Sequence, residues 1–297
     1  MQPILITGGQ GFVGRHLVQA MLQKKMNFIA TARNFPDNSI SPFEYLDFCD
    51  KYSLGLFFKK HQPKAIIHCG AMSKADDCER KKEQALQVNV NAVKDLLHYA
   101  EKSQAHFIFL STDFVFDGTA HSQEETATPN PVNFYGYTKL LAEHLVKNYP
   151  CKASIVRTIL VYGNSLGGRQ NLVSLTQQKL LNAEVFRVVD DQLRNPTFVG
   201  DLVNAILTIL EKEATGIFHI CGSEMMSPWQ MALQTAGFLH LDKNLIQPIS
   251  SLLLAEPAAR PKLSGFSIEK AKHILGYQPT SFIEGLKLSF PTPSSSI

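Results

Sequence analysis

The stretch "ILITGGQGFVG" at positions 4–14 constrains this chain most. A β-branched apolar run stops at Thr7, Gly8, Gly11 and Gly14 follow at three-residue spacing, and a helical pattern begins at once. In that setting Gly8 permits a tight turn and Gly11 lets a pyrophosphate approach the backbone. Gly14 lets the helix pack closely on a sheet, while free N–H groups and the helix dipole favour phosphate charge. A glycine-rich turn without a ligand is the plainer reading. A strand before it and a helix after it select the dinucleotide reading, with Phe12 and Val13 beside the glycines.

The rest of the first half repeats the rhythm. "PILIT" (3–7), "FIATA" (28–32), "AIIHC" (65–69), "FIFLS" (107–111) and "SIVRT" (154–158) read as buried strands, with "FEYLD" (43–47) a weaker one. Helical patterns cover 12–24, 53–60, 85–101 and 134–148. This alternation predicts an α/β fold, a doubly wound parallel sheet of Rossmann type. The second half is less regular: helices fit 171–182, 200–212, 227–237 and 267–276, and strands fit 185–189 and 216–220. The prolines between 238 and 266 suggest loops, and "PTPSSSI" a disordered tail. The expected division is a dinucleotide-binding domain of residues 1–158 and 198–221, with a smaller substrate lobe of 159–197 and 222–297.

Composition narrows the partners. A net charge of +3 without a basic run argues against nucleic acid, and no stretch approaches the roughly 18 apolar residues of a membrane span. Five scattered cysteines (Cys49, Cys69, Cys78, Cys151, Cys221) suit reduced thiols, so a cytoplasmic protein is expected. Cys69 and Cys78 read as buried small hydrophobes, and His68 and His144 as packing or surface residues. Asp190 and Asp191 read as a turn, and no metal is expected. A homodimer is compatible with the sequence.

Two further places carry chemistry. The second strand ends Thr31-Ala32-Arg33, with no acid until Asp37 to bond a ribose 2′-hydroxyl. Arg33 suits a 2′-phosphate, which favours NADPH and leaves NADH as the second option; the plainer reading is a solvated loop arginine. Asp47 and Phe48 are candidates for the adenine edge and face. In "NFYGYTKLLAEHL" (133–145), Tyr135 and Lys139 share one helix face. A nearby ammonium would lower the phenol's pKa from about 10 and suit Tyr135 to proton transfer. Tyr-x-x-x-Lys alone is also a common surface pattern. Thr112, at the end of "FIFLS", is placed to hold a reacting oxygen beside Tyr135.

Together these stretches resemble the extended short-chain dehydrogenase/reductases, most closely the dTDP-4-dehydrorhamnose reductase branch. The resemblance rests on "TGGQGFVG", "AMSKADDCE" (71–79) with "VNV" (88–90), "STDFVFDG" (111–118), "NFYGYTKLLAE" (133–143), "DQLRNPT" (191–197) and, more weakly, "ARPKLSGFS" (259–267). It implies that Thr112, Tyr135 and Lys139 are catalytic and that a nicotinamide cofactor reduces the C4 ketone of a nucleotide-linked deoxysugar. It also implies Ala71 and Asn89 along the cofactor cleft, Arg157 near its floor, and Ser73, Asp113, Phe114, Arg194 and Arg260 toward the substrate.

The branch commonly has Tyr where Phe114 stands, Trp where Leu160 stands and Gly where Arg194 stands. Arg194 therefore adds a cation able to meet a phosphate, and the substrate's identity stays open. Two other functions remain in play: an epimerase or dehydratase that retains NAD, and a non-catalytic subunit like the regulatory subunit of methionine adenosyltransferase.

Overall fold

The computed structural model describes residues 2–33 and 43–290. Asp37 and the "PTPSSSI" segment lie outside the described residues.

Seven parallel strands form the central sheet. From edge to edge they run Gly216–Ile220, Ala153–Thr158, His106–Thr112, Ala65–His68, Ile4–Thr7, Phe28–Ala32 and Phe43–Tyr45. Alternation along each strand sends successive side chains to opposite faces. Ile4, Ile6, Ile67, Ile108 and Val156 enter one core with the helices Phe12–Gln23 and Val199–Glu211. Leu5, Ile66, Phe107, Phe109 and Ile155 enter the other, with Lys51–His61, Ala92–Lys102 and Phe134–Lys147. Burial on both faces is why these strands read as continuous apolar runs.

The first strand pairs Thr7 with His68 on one side and Ile6 with Ala30 on the other. The chain first adds strands on the Phe28–Ala32 side, then crosses to build outward from Ala65–His68. The carboxyl ends of strands at this reversal diverge and leave a crevice, the usual ligand site of such sheets.

Two expectations need correction here. The helical pattern over 85–101 is one helical run interrupted by a wide π-turn: Lys82–Leu86, then Gln87–Asn91, then Ala92–Lys102. Residues 238–266 are not only loops. Ile246–Ile249 pairs with Phe186–Val189, and Leu263–Ser264 pairs with Leu193–Arg194. Pro248 is tolerated because its strand belongs to a two-stranded ribbon. Above that ribbon pack the helices Leu172–Leu181 and Pro228–Phe238. A last helix, Phe282–Ser289, is capped by Ser281 and buries Phe282 and Leu286; the sequence patterns above do not include it.

Candidate active site

A cleft of about 1050 Å³ runs across the strand ends, from the glycine turn to Tyr135. Gly8 has φ +69°, and a Cβ there would lie 2.7 Å from the Gly70 nitrogen. A Cβ on Gly14 would lie 2.2 Å from the Gly8 carbonyl oxygen, so only glycine lets helix and strand approach this closely. The helix Phe12–Gln23 starts at Gly11 with no side-chain cap and no acid in its first turn. Its leading N–H groups lack intrahelical partners and, with the dipole, suit a pyrophosphate. Gly8, Gly11, Phe12, Val13 and Gly14 all line the cleft, as the sequence predicts. The residues present thus fit a dinucleotide.

Arg33 is exposed at the end of its strand and borders the same cleft. Asp47 and Phe48, two and three residues past the third strand, line the same cleft. Asp47 Oδ1 accepts from the Cys49 nitrogen at 3.0 Å, and the Phe48 ring stands edge-on to His68. His68 takes a hydrogen bond of 2.6 Å with Thr7 Oγ1 and stacks on Phe109. Burial pushes its pKa down to about 3, so it is a neutral packing residue. Cys69 borders the cleft, but burial raises its thiol to about 12; Cys78 rises to about 11 and donates to the Met72 carbonyl. Neither is a ready thiolate. His144 is exposed. Asp190 accepts from Ser227, and Asp191 from Ser250 and Ser251. Each carboxylate fastens a loop.

At the other end, Thr112 closes its strand and Tyr135 sits in the first turn of the helix Phe134–Lys147. Asn133 caps that helix, accepting from the Gly136 nitrogen at 2.8 Å and donating to the Ala259 carbonyl at 2.7 Å. Thr112, Tyr135 and Lys139 line one wall together, with Asp113 and Phe114 beside them. Tyr137 points away and is exposed.

The expected acidification of Tyr135 by Lys139 is not what the geometry provides. Lys139 Nζ donates to the Leu110 carbonyl at 2.7 Å and stands 3.9 Å over the Phe109 ring. The phenol's pKa is raised, first by burial and then by the Asp113 charge, while the Thr112 hydroxyl pulls it down. Tyr135 is therefore protonated at neutral pH, the form that gives a proton to a ketone oxygen.

Burial pushes Lys139 itself down to about 7, against the opposing pull of Glu143. Its unfolded value is about 10.4, so between pH 7 and 10 the unfolded chain binds the extra proton. The burial penalty is complete below pH 7 and fades as pH rises. Urea midpoints should therefore climb from pH 7 to pH 9 more in the cofactor-free wild type than in Lys139→Met. Parallel curves for the two proteins would contradict this assignment.

Three residues stand apart from their expected places. Asn89 does not border the cleft. From the π-turn it accepts from the Met72 nitrogen at 2.8 Å and donates to the Met72 carbonyl and Thr138 Oγ1, both at 3.0 Å. It braces the wall that Ala71 presents to the cleft, and Thr138 carries the brace on to the Tyr135 carbonyl. Arg157 is no floor residue: it is fully buried, held bidentately by Glu143 at 2.6 and 2.9 Å, and lies over Phe116. Arg194 is likewise no free cation for a phosphate. It borders the cleft, but it is 4 % exposed and pairs with Asp113 at 3.2 Å. Ser73 accepts from Arg169 at 2.8 Å, and Arg260 pairs with Asp76 and Glu256; all three cleft residues Ser73, Arg169 and Arg260 remain at its mouth.

Glu143, Arg169 and Gln192 were missed by sequence reasoning. For Glu143 a signal existed: Tyr135, Lys139 and Glu143 continue the same four-residue spacing. Ser111 Oγ donates to Glu143 at 2.7 Å, so the helix is tied to the strand one residue before Thr112.

The RmlD substrate binding domain family matches residues 1–292. A dTDP-4-keto-6-deoxy-D-glucose reductase of Streptomyces niveus is 30% identical over 261 residues, 87% of this chain and 86% of the relative. The methionine adenosyltransferase 2 subunit beta of Bos taurus is 30% identical over 292 residues, 96% of this chain and 86% of that protein. Among solved structures, a dTDP-4-dehydrorhamnose reductase of Bacillus anthracis in complex with NADP superposes with a TM-score of 0.88 at 26% identity, covering 97% of this chain and 98% of that one. With the glycine turn, the strand-end cleft and the Thr112–Tyr135–Lys139 wall in place, the chain belongs to the RmlD substrate binding domain family.

Proposed function

We propose that the protein is an NADPH-dependent reductase of the C4 ketone of a nucleotide-linked deoxysugar, like the dTDP-4-dehydrorhamnose reductases. The observation that carries this reading is that one cleft joins an uncapped glycine turn to Thr112, Tyr135 and Lys139. Gly8, Gly11, Phe12, Val13 and Gly14 would hold the pyrophosphate, Arg33 the 2′-phosphate, and Asp47 and Phe48 the adenine. Residues 159–197 and 222–297 would form the substrate lobe, with Ser73, Phe114 and Arg260 facing the sugar nucleotide.

When bound, the dinucleotide supplies the hydride that adds to the carbonyl carbon. Tyr135 gives its phenolic proton to the ketone oxygen, so the C=O becomes an alcohol. Thr112, whose hydroxyl donates to Asp113 Oδ1 in this structure, turns that hydrogen to the ketone oxygen when substrate binds, and Lys139 returns a proton to the phenolate. Phe109 and Leu110 hold the Lys139 ammonium in place. NADPH oxidation in the presence of a panel of 4-keto-6-deoxysugar nucleotides tests the reading; no oxidation with any of them would overturn it.

Arg33→Ala should raise the KM for NADPH about tenfold to a hundredfold, the worth of a charged hydrogen bond to phosphate, with little change for NADH. Equal effects on both cofactors would remove Arg33 from the 2′-phosphate.

The bovine relative supports one second reading, a subunit that binds a methionine adenosyltransferase. Co-elution with such an enzyme, without NADPH oxidation, would favour it. Stoichiometric NAD retained through purification would favour the epimerase or dehydratase reading instead.

A further inference from the structure

We propose that Arg194 is a positioning residue for the reduction, one buried guanidinium that holds both Thr112 and Tyr135 against the substrate lobe. The inference rests on the reductase reading of the site for its kinetic consequences but not for its geometry.

Arg194 is fixed from behind by three segments. Its backbone exchanges hydrogen bonds with Met226 at 3.0 and 2.9 Å, and Leu193–Arg194 pairs with Leu263–Ser264. Its Nη2 donates to Gln192 Oε1 at 2.9 Å and to the Pro261 carbonyl at 3.2 Å. Its Nη1 donates to Ser264 Oγ at 2.9 Å and to Asp113 Oδ2 at 3.2 Å. Four donors on four partners leave this cation committed to the protein.

Two arms lead from it to the reacting wall. Through the first, Asp113 is held, and Asp113 Oδ1 accepts the Thr112 hydroxyl at 3.1 Å. Through the second, the guanidinium lies 5.5 Å over the Phe114 ring, whose edge meets the Tyr135 ring at 5.9 Å and 74°. Asp113 is 5 % exposed, and a lone carboxylate so placed needs a counter-charge. Arg194 supplies it, which also limits how strongly Asp113 opposes a phenolate on Tyr135. Only a planar fork reaches Asp113 and Gln192 together; a lysine has one nitrogen for both.

The test compares wild type, Arg194→Met, Arg194→Lys and the double variant Arg194→Met/Asp113→Asn, by kinetics and by amide hydrogen exchange. Arg194→Met should lower kcat about 10–100-fold with the KM for NADPH unchanged. The double variant should recover part of that loss, because no unpaired carboxylate remains, and the fall in kcat at an unchanged KM for NADPH is the readout that a merely structural role would not give. Arg194→Lys, which keeps the charge, should fall between wild type and Arg194→Met. It carries the test if Arg194→Met fails to fold.

Amides of 111–116 should exchange about tenfold faster in Arg194→Met while those of 4–14 stay protected. Wild-type kcat and wild-type protection in Arg194→Met, or in Arg194→Lys where it alone folds, would overturn the proposal. Should wild type itself reduce no keto sugar, the reductase reading falls, and the exchange at 111–116 alone decides the clamp.

Discussion

Tyr135→Phe lowers the turnover of a 4-keto-6-deoxysugar nucleotide by about 10²–10⁴-fold, the usual worth of a positioned proton donor, and leaves NADPH binding largely intact. The ring remains to pack against Phe114, so the loss is confined to one oxygen and its proton. The raised pKa sharpens the expectation. A phenol kept protonated by burial and by Asp113 is competent to donate across the neutral range, so wild-type kcat should not fall as pH drops from 8 to 6. Lys139 points the same way, since it gains its proton below about 7. Steady-state rates with saturating NADPH measure both effects. Full turnover in Tyr135→Phe would end the assignment of Tyr135 as the acid.

Arg157→Leu should cost about 3–5 kcal/mol of stability, read from urea unfolding, because it strands the Glu143 carboxylate in a dry interior. Neither side chain of this pair has any exposure, and among the described residues the Ser111 hydroxyl is the hydrogen bond that would remain to Glu143. Replacing both partners together, as Arg157→Leu/Glu143→Leu, should return most of the loss, since apolar substitutes for a buried ion pair are often neutral. A loss below about 1 kcal/mol in the single variant would show that the pair is solvated or dispensable. The same comparison bears on the site. The pair ties the Tyr135 helix to the strand Ala153–Thr158, which lies beside the strand that ends in Thr112, so the single variant should also lose turnover before it loses NADPH binding.

Legibility in the sequence followed the physics of each signal. The strands of the central sheet were readable because burial on both faces makes them unbroken apolar runs; Phe28–Ala32 and Gly216–Ile220 fall on the expected bounds. The glycine turn was readable because backbone contact at Gly8 and Gly14 leaves no room for any other residue. Tyr135 and Lys139 were readable from their spacing taken together with the glycine turn and Thr112 earlier in the chain, and all three catalytic candidates line one cleft.

Pairings between distant segments were not readable. Nothing local at Arg194 tells that Asp113, eighty-one residues earlier, takes its charge, so a buried clamp looked like a free cation. Arg157 and Glu143 met the same difficulty across fourteen residues. Ile246–Ile249 was hidden by its proline and by the ribbon partner that makes it a strand. The π-turn that swings Asn89 inward has the same residue pattern as an ordinary helix.

The most direct measurement of the central claim is isotopic. The protein is incubated with NADPH deuterated at the transferable position and a 4-keto-6-deoxysugar nucleotide, and the product is analysed by mass spectrometry and NMR. One deuterium at C4 of the sugar for each NADPH consumed is the predicted result. Unchanged ketone and unconsumed NADPH across every such nucleotide, by a protein that still binds the cofactor, would contradict it.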